Sequence, residues 1–356
     1  FPALGDIPPG LVGRPVGRIS FTLNDWATAR EPWGFHLVNF GIHLTAGLIF
    51  FDLTRRTLLL PVWKEKYSES ALWIAFAVAA IWLVHPLQTQ AVTYIVQRLE
   101  SLMGMFYLGT LYCVLRGSTG KRAWAWYALA ITCCWLGMGT KEVMVTAPIA
   151  ALLFDRIYVA RNWREVLQKR WALHALLLLS MMLPISTLMS TAVEEQTRGV
   201  GFSIETMSSW EYLRSQAGVL LHYLRLSYWP AALCLDYYWP IATTAAEIYM
   251  PGAVILLLLG ASLILLFLRP QIGFVAFAFF LILSPTSSIV PIADLAFEHR
   301  MYLPLAAVVI LTVLGAHEVV TRLQSRGLEL KWLPALVFIV VVAALITRTV
   351  LRNRDY

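Results

Sequence analysis

Long apolar segments separated by short charged ones set the pattern of this chain. A helix needs about 20 mostly apolar residues to cross the hydrocarbon of a bilayer, and runs near that length recur along the sequence. These runs do not alternate with period two as barrel strands do, so each must satisfy its backbone hydrogen bonds as a helix. The pattern predicts an all-α polytopic membrane protein with about ten transmembrane helices. They are predicted at 33–53, 70–85, 99–116, 123–139, 142–160, 171–192, 248–268, 271–291, 301–320 and 331–350.

Composition agrees with a membrane protein and excludes one class of partner. Charged residues make up 14% of the chain, where a soluble domain carries about 25%. The net charge of +7 is spread over short connections instead of forming a basic arm, so we expect no nucleic-acid partner. Of the four cysteines, Cys113, Cys133 and Cys134 lie inside apolar runs without metal-ligand spacing, which indicates small buried side chains.

Charge bias between the connections predicts their sides. One alternate set carries about +9 and the other about −2, so the positive-inside rule makes the first set cytoplasmic. The first set is 54–69, 116–122, 156–170, 269–270 and 321–331. Both ends of the chain then lie on the non-cytoplasmic side, and we expect a first helix upstream of Phe1. Residues 1–32 become an outer-face loop, and 193–247 become a large outer loop with an interfacial juxtamembrane helix.

The outer segments carry most of the candidate chemistry. Arg14 lies in the stretch GRPVGRISFTLNDW, and His36, Asn39 and His43 follow at i, i+3 and i+7 on one helix face. Polar residues on one face of a membrane helix point into the bundle or a watery cavity. Hydrogen bonding between helices is an equal alternative for these three.

The segment HPLQTQAVTYIVQRLES is the richest in polar groups. His85 and the following proline end one apolar run, and Arg98 and Glu100 begin the next. A guanidinium at a membrane surface can bind a lipid phosphate through two hydrogen bonds. The alternative is an arginine that extends to the interface beside a surface acid.

Two further charged groups lie at predicted outer ends of helices. Lys141 and Glu142 stand between two apolar runs with almost no loop, so they either form an ion pair or face a cavity. Glu298, His299 and Arg300 combine an acceptor, a titratable imidazole and a fixed cation within three residues. This mixture favours an anionic substrate over simple anchoring.

Several familiar sites are absent from the sequence. It contains no Walker A motif, no GxGxxG after a strand, no HExxH and no GxSxG elbow. Glu194 and Glu195 are adjacent, so their side chains diverge on a helix and make a poor metal clamp. A lipid-linked donor would explain why no nucleotide site is visible, and whether a divalent metal is needed stays open.

The order of these motifs resembles the bacterial relatives of the transmembrane and tetratricopeptide-repeat O-mannosyltransferases. The resemblance rests on RPVGRISFTLN with EPWGFHLVNFGIHL, HPLQTQAVTYIVQRLESLMGMFYL, GTKEVMVTAPIAALLFDR and SSIVPIADLAFEHRMYLPLA, which span essentially the whole chain. It implies the C-type glycosyltransferase fold over 33–350 and a bacterial inner-membrane location. It also implies an outer-face tetratricopeptide-repeat region, of which 351–356 would be the start.

The resemblance also implies a reaction and roles for residues. Such enzymes transfer a sugar, mannose or another hexose, from a polyprenyl-phosphate carrier to a Ser/Thr hydroxyl of a protein on the outer face. The catalytic acid of the family would lie upstream of Phe1, so the catalytic residue of this chain stays unassigned. We expect Arg98, Lys141 and Arg300 near the donor phosphate. The residues expected to orient them or contact substrate are Arg14, His36, His85, Glu100, Glu142, Glu298 and His299.

Two other classes of protein remain open. A scaffold or assembly subunit could keep the fold without catalysis, and an acid-bearing loop before Phe1 would argue against it. A transporter of lipid-linked sugars would show broken helices in corresponding positions of two repeated halves. The sequence has no such internal symmetry, and its polar residues collect at one face instead of the midplane.

Overall fold

The computed structural model describes residues 11, 13–29, 31–183, 207–292, 294–328 and 332–355. Within these residues every regular element is a helix, and none is a β-strand. The prediction of an all-α protein is therefore confirmed for the part that the structure describes.

Fourteen α-helices make up the described part, and short 3-10 turns join several of them. Proline occupies the first turn of many, where its missing N–H costs no hydrogen bond. The helices are α1 Pro15–Thr28, α2 Pro32–Leu58, α3 Pro61–Tyr67, α4 Ala71–Val84, α5 Thr89–Thr93, α6 Arg98–Thr119, α7 Ala123–Met138, α8 Ala147–Phe154, α9 Trp163–Leu179, α10 Ser209–Tyr228, α11 Ala245–Leu268, α12 Pro270–Leu283, α13 Pro304–Ser325 and α14 Leu333–Asn353.

Helix α6 lies at the centre of the packing. It contacts α2 on one side and α7 on the other, while α4 packs between α2 and α13. Small residues permit this closeness: a Cβ on Gly47 of α2 would fall 2.4 Å from the Leu83 side chain of α4. Trp82, Tyr107 and Tyr302 are among the fully buried side chains of the resulting core.

The number of transmembrane helices falls short of the expectation. Four described helices are long and apolar enough to cross a membrane: α2, α11, α13 and α14. Helices α3 and α4 meet at 96° and could form a fifth, broken span. About ten spans is therefore not supported. Helices α7 and α12 have only 16 and 14 residues, and α6 carries three charged side chains within its 22 residues.

Most predicted helix positions agree with the structure, and three do not; one of these, 271–291, ends eight residues early, at Leu283 of α12. The predicted helix 142–160 is a 3-10 turn at Glu142–Thr146, then α8, then a π-helical turn at Asp155–Val159. The predicted helix 171–192 starts earlier, with α9 at Trp163, and its residues 184–192 lie outside the described part. Buried polar groups accompany the π-helical turn at Asp155–Val159, because Asp155 binds Arg170 and His174 of α9 at 2.7 and 2.8 Å.

Helix α1 occupies part of the predicted loop 1–32 and docks on the start of α6. The backbone N–H of Val16 donates to the carbonyl of Gly139 at 2.9 Å. Gly17 faces Leu99 so closely that a Cβ there would lie 2.2 Å from the leucine Cδ2 atom. This contact brings Arg14 next to the segments that begin at Arg98 and Gly139.

Gly104 allows α6 to approach the ring of Tyr302, and this contact yields a stability prediction. A Cβ at Gly104 would lie 2.6 Å from the ring, which Trp82 and His43 hold from the other side. We expect Gly104→Ala to destabilise the protein by about 1–3 kcal/mol, the range for overpacked cores. Thermal unfolding in detergent measures this change.

Gly315 of α13 is the matched control, because nothing lies within 4 Å of its added Cβ. Gly315→Ala removes helix-interior glycine without a clash, so its melting temperature should stay the same or rise. Equal melting temperatures for the two alanine variants would show that α6 and Tyr302 are not packed as described.

Candidate functional site

Four segments converge where α6 begins: the residue before α1, the first turn of α6, the turn after α7, and the 3-10 turn before α13. They bring together five charged residues, Arg14, Glu100, Lys141, Glu142 and Arg300, which we call the charged cluster. Glu100, Lys141 and Arg300 are buried. The sequence separates these residues by up to 286 positions (300 − 14), so only the fold places them in one site.

Lys141 and Glu100 form the buried ion pair of the charged cluster. Lys141 Nζ donates to Glu100 Oε2, and the two side chains are 10% and 2% exposed. Lys141 is extended at the end of the turn that follows α7, and Glu100 lies in the first turn of α6. A carboxylate in a first turn also gains from the helix dipole. Removing either partner would leave an uncompensated buried charge, which costs far more than losing a surface pair.

Arg14 and Glu142 form the more exposed pair. Arg14 Nε donates to Glu142 Oε1 at 3.0 Å, and a second guanidinium nitrogen donates to Oε2 at 2.8 Å. This two-bond geometry is the strongest arrangement that an arginine makes with a carboxylate. Burial raises the pKa of Glu142, but the positive charge of Arg14 outweighs it and lowers that pKa to about 2.

Arg300 is held by neutral acceptors. Its guanidinium donates to the Asp294 carbonyl at 2.7 Å, to the Leu295 carbonyl at 3.0 Å, and to the Tyr212 hydroxyl and the Thr286 carbonyl at 3.3 Å each. Arg300 forms no ion pair with a described residue, although the Asp294 carboxyl is near enough to interact with its charge. Burial lowers the pKa of Lys141, although Glu100 opposes the change. Burial also acts to lower the pKa of both arginines, but Glu142 and Glu100 raise that of Arg14, and Tyr223, Tyr212 and Glu100 raise that of Arg300, above the usual value.

Counted over its five described residues alone, the charged cluster has one net positive charge. It contains three cations, Arg14, Lys141 and Arg300, against the two carboxylates Glu100 and Glu142. Electrostatics of this kind attract an anion with a single negative charge. The structure therefore brings together two of the three residues expected near a donor phosphate, Lys141 and Arg300.

Arg98, the third expected phosphate ligand, is enclosed elsewhere. It is fully buried, and its guanidinium donates to the side-chain oxygens of Asn24 and Asn39 and to the backbone carbonyls of Ser20 and Phe35. The ring of Phe21 lies 4.5 Å below it. Arg98 has no charged partner among the described residues, so it lies outside the charged cluster. Its hydrogen bonds join α1 and α2 to α6, and its expected place near a donor phosphate stays a prediction.

His36 and His85 also stand apart from the charged cluster. His36 is exposed in the first turn of α2, whereas Asn39 and His43 of the same face are buried. Asn39 and His43 make interhelical hydrogen bonds, so the alternative reading is confirmed for them. His85 is buried and caps the following turn, with Nδ1 accepting from the Leu87 N–H and Nε2 bound to the Ser227 carbonyl.

Glu298 joins the segment after α10 to the end of α14. One carboxylate oxygen accepts from the Cys234 N–H at 2.7 Å and from the Tyr237 hydroxyl at 2.9 Å. The other lies 3.6 Å from the Arg352 guanidinium. Burial raises the pKa of Glu298 above its usual value, although Arg352 opposes the change. The contacts make Glu298 an organiser of loops beside the site.

The HPLQTQ segment packs on the turn that carries His299. Gln88 and Trp82 both donate to the Tyr302 carbonyl, at 3.3 and 2.9 Å. Gln90 accepts from the backbone N–H of His299 at 2.7 Å and contacts its Nδ1 atom at 3.0 Å. Two motifs that the sequence could only mark separately are thus one structural unit.

An apolar cleft lies further along α6 than the charged cluster. Its wall is formed mainly by hydrocarbon and aromatic side chains, among them Phe50, Leu58, Trp63, Phe154, Phe274 and Leu303. Tyr107 also lines it and accepts a hydrogen bond from Thr146, the last residue of the turn that begins at Glu142. Tyr107 and Glu100 are seven residues apart on α6, which is roughly 10 Å along the helix axis.

No group of three or more His, Cys, Asp or Glu side chains in the described ranges could hold a metal ion. The four cysteines are all free thiols.

Comparisons with known proteins point to one class, the protein O-mannosyl-transferases. The chain is 27% identical over 146 residues to protein O-mannosyl-transferase TMTC2 of Homo sapiens. It is 31% identical over 148 residues to protein O-mannosyl-transferase Tmtc2 of Drosophila melanogaster, and 25% identical over 152 residues to TMTC3 of Mus musculus. No family model and no solved structure matches the chain.

These alignments cover part of each protein. They include 40% of this chain but only 16% of the human protein and 15% of the Drosophila protein. The chain is thus similar to the protein O-mannosyl-transferases over part of its length. Because so little of those proteins is covered, their activity is proposed for this chain and is not shown for it.

Arg98 yields a prediction that separates a structural role from phosphate binding. Arg98→Lys keeps the charge but cannot make all four hydrogen bonds, so Asn24 and Asn39 lose a buried donor. We expect the free energy of unfolding to fall by at least about 2 kcal/mol, because unsatisfied buried groups carry their full desolvation cost. Thermal unfolding in detergent measures this loss, and Arg18→Lys at an exposed position of α1 is the control. An unchanged melting temperature for Arg98→Lys would contradict this assignment.

The low pKa of Glu142 yields a pH prediction. Because the folded-state pKa of about 2 lies below the usual 4.5, the ion pair contributes stability above pH 4.5 and loses it as pH falls toward 2. The melting-temperature difference between the parent and Glu142→Gln should therefore stay constant from pH 7 to about 5 and shrink below that. In an Arg14→Gln background, Glu142→Gln should have a much smaller effect at pH 7. A difference that fades between pH 7 and 5 would contradict the pairing.

Proposed function

We propose that this chain is the membrane domain of a glycosyltransferase that uses a polyprenyl-phosphate-linked sugar. The sugar, mannose or another hexose, passes to a Ser/Thr hydroxyl of an acceptor protein on the non-cytoplasmic side. The fold would be that of the C-type glycosyltransferases, in the inner membrane of a bacterium. The similarity to protein O-mannosyl-transferases supports the class of reaction. The donor, the acceptor and the side of the membrane are our inference.

One observation carries the choice of donor: a cluster with one net positive charge lies at the start of α6, and an apolar cleft is lined by Tyr107, roughly 10 Å further along the same helix. A polyprenyl-phosphate sugar is a phosphodiester, so it joins one negative charge to a long hydrocarbon chain. The charged cluster matches the charge, and the cleft lined by Trp63, Phe154 and Phe274 matches the hydrocarbon. Lys141 and Arg300 would hold the phosphate, and membrane lipids would surround the chain.

The arrangement also supports the chemistry of transfer. When the hydroxyl oxygen attacks the anomeric carbon, the bond from that carbon to the phosphate oxygen breaks, and negative charge grows on the phosphate. Fixed cations stabilise this developing charge without having to reorganise. Lys141 is held by Glu100 and Arg300 by backbone carbonyls, so both are fixed before substrate arrives. A base must take the hydroxyl proton.

A catalytically silent scaffold is the second candidate, and one observation favours it. Arg14 and Lys141 are both already paired with carboxylates, as in a cluster that only holds helices together. The scaffold predicts stability changes without any effect on donor binding. The transferase predicts that donor affinity depends on Lys141 even when its partner has been neutralised.

Donor binding by paired variants tests the proposal. Lys141→Met/Glu100→Gln removes both charges, so no buried charge is left unpaired and the fold can persist. We expect this double variant to bind a short-chain isoprenyl-phosphate mannose at least tenfold more weakly than the parent, which equals about 1.4 kcal/mol. Native mass spectrometry of the full-length protein in mild detergent measures the bound fraction.

The exposed pair Lys169 and Glu165 supplies the matched control, since it is also an ion pair, at 3.0 Å. Lys169→Met/Glu165→Gln should bind the donor like the parent. If the parent binds the isoprenyl-phosphate sugar no better than ordinary phospholipid, the transferase proposal is wrong and the scaffold is favoured.

A further inference from the structure

His299 is held in one orientation by Gln90. The Gln90 Oε1 atom lies 2.7 Å from the backbone nitrogen of His299 and 3.0 Å from its Nδ1 atom. Gln90 Nε2 lies 3.0 Å from the Leu235 carbonyl oxygen. Both residues are buried, and the ring of Phe297 stacks on the imidazole with centroids 4.9 Å apart.

These contacts determine which imidazole nitrogen carries the proton. The Leu235 carbonyl can only accept a hydrogen bond, so the amide NH₂ of Gln90 must face it. The Gln90 oxygen then faces His299 and can only accept, which requires a proton on Nδ1. In the neutral imidazole, Nε2 consequently carries a lone pair. No hydrogen-bond partner for that Nε2 atom exists among the residues that the structure describes.

The charged cluster keeps this imidazole neutral. Burial lowers the pKa of His299 well below 6.5, and the positive charges of Lys141, Arg300 and Arg14 lower it further. These cations come from three different elements: the segment after α7, the turn of His299 itself, and the start of α1. Glu298, adjacent in sequence, points its carboxylate at Cys234 and Tyr237. At neutral pH the site thus contains an unprotonated, oriented nitrogen base beside an anion-binding cluster.

We propose that Nε2 of His299 is the base that takes the proton from the attacking hydroxyl, and that Gln90 is the positioning residue that keeps Nε2 unprotonated. This inference rests on the proposed transferase function. The hydroxyl oxygen forms a bond to the anomeric carbon while its proton moves to Nε2. The bond between that carbon and the phosphate oxygen breaks, and its electron pair leaves with the isoprenyl phosphate. The proton then passes from Nε2 to solvent, which restores the neutral imidazole.

Substitutions at Gln90 separate a catalytic role from a structural one. Gln90→Glu keeps an oxygen that accepts from both His299 donors, but the added negative charge raises the pKa of His299. Gln90→Leu removes the acceptor and allows either tautomer. If Gln90 only holds the turn together, both variants lower stability and neither changes how activity depends on pH.

The experiment measures kcat and KM of the full-length protein from pH 5 to 8.5. The donor is a short-chain isoprenyl-phosphate mannose, the acceptor is a Ser/Thr-rich peptide, and native mass spectrometry records donor binding. We expect His299→Gln to lower kcat by about 100-fold or more, the usual contribution of a general base, with the donor still bound. Gln90→Glu should move the acid limb of the kcat profile to higher pH, and Gln90→Leu should lower kcat at every pH.

His317→Gln is the control, because His317 lies several turns along α13 and contacts Ser70 instead. If His299→Gln keeps kcat within about threefold of an active parent, the base lies elsewhere and this inference alone is overturned. If His299→Gln does not fold, an acid limb that stays in place in Gln90→Glu overturns it equally. A parent that binds no donor and transfers no sugar overturns the proposed function and this inference with it.

Discussion

The need to neutralise a buried lysine organises the end of the bundle where α6 begins. Lys141 has no room to extend to solvent, so its ammonium group must meet a carboxylate inside the protein. Glu100 supplies that carboxylate from the first turn of α6. This single contact ties the turn after α7 to the central helix. The same turn then presents Glu142 to Arg14, so α1 is fixed to the bundle as a consequence.

Two buried cations near this end have opposite surroundings, and their surroundings decide what each can do. Arg98 donates to four neutral oxygens and lies over an aromatic ring, so it joins three helices and has no charged partner in the described part of the chain. Lys141 is part of a group of five charges that sums to one positive unit at the start of α6. Burial alone therefore does not identify a functional cation; its place among other charges does.

Much of the helical pattern could be predicted from the sequence, because apolar runs bounded by charges and prolines mark helices directly. The number of spans could not be predicted in this way, because an apolar run of 14 to 22 residues has the same pattern whether it crosses a bilayer or packs inside a bundle. The sequence predicts one helix over the apolar run 142–160, and only the structure shows Asp155 bound to α9. Within the site, residue type alone marks Lys141 and Arg300 as candidates, but it does not mark Gln90. Its importance depends on a contact with a residue 209 positions away.

The position of His299 beside the charged cluster has a consequence for the order of events in the proposed reaction. Before donor binds, three cations and burial suppress the pKa of the imidazole. A phosphodiester adds one negative charge to the same site and offsets part of that suppression. His299 then becomes more basic when a donor is present and the hydroxyl must lose its proton. As the isoprenyl phosphate departs, its growing charge favours the protonated imidazole further. The cations that bind the donor thus also restrain the base while the site is empty.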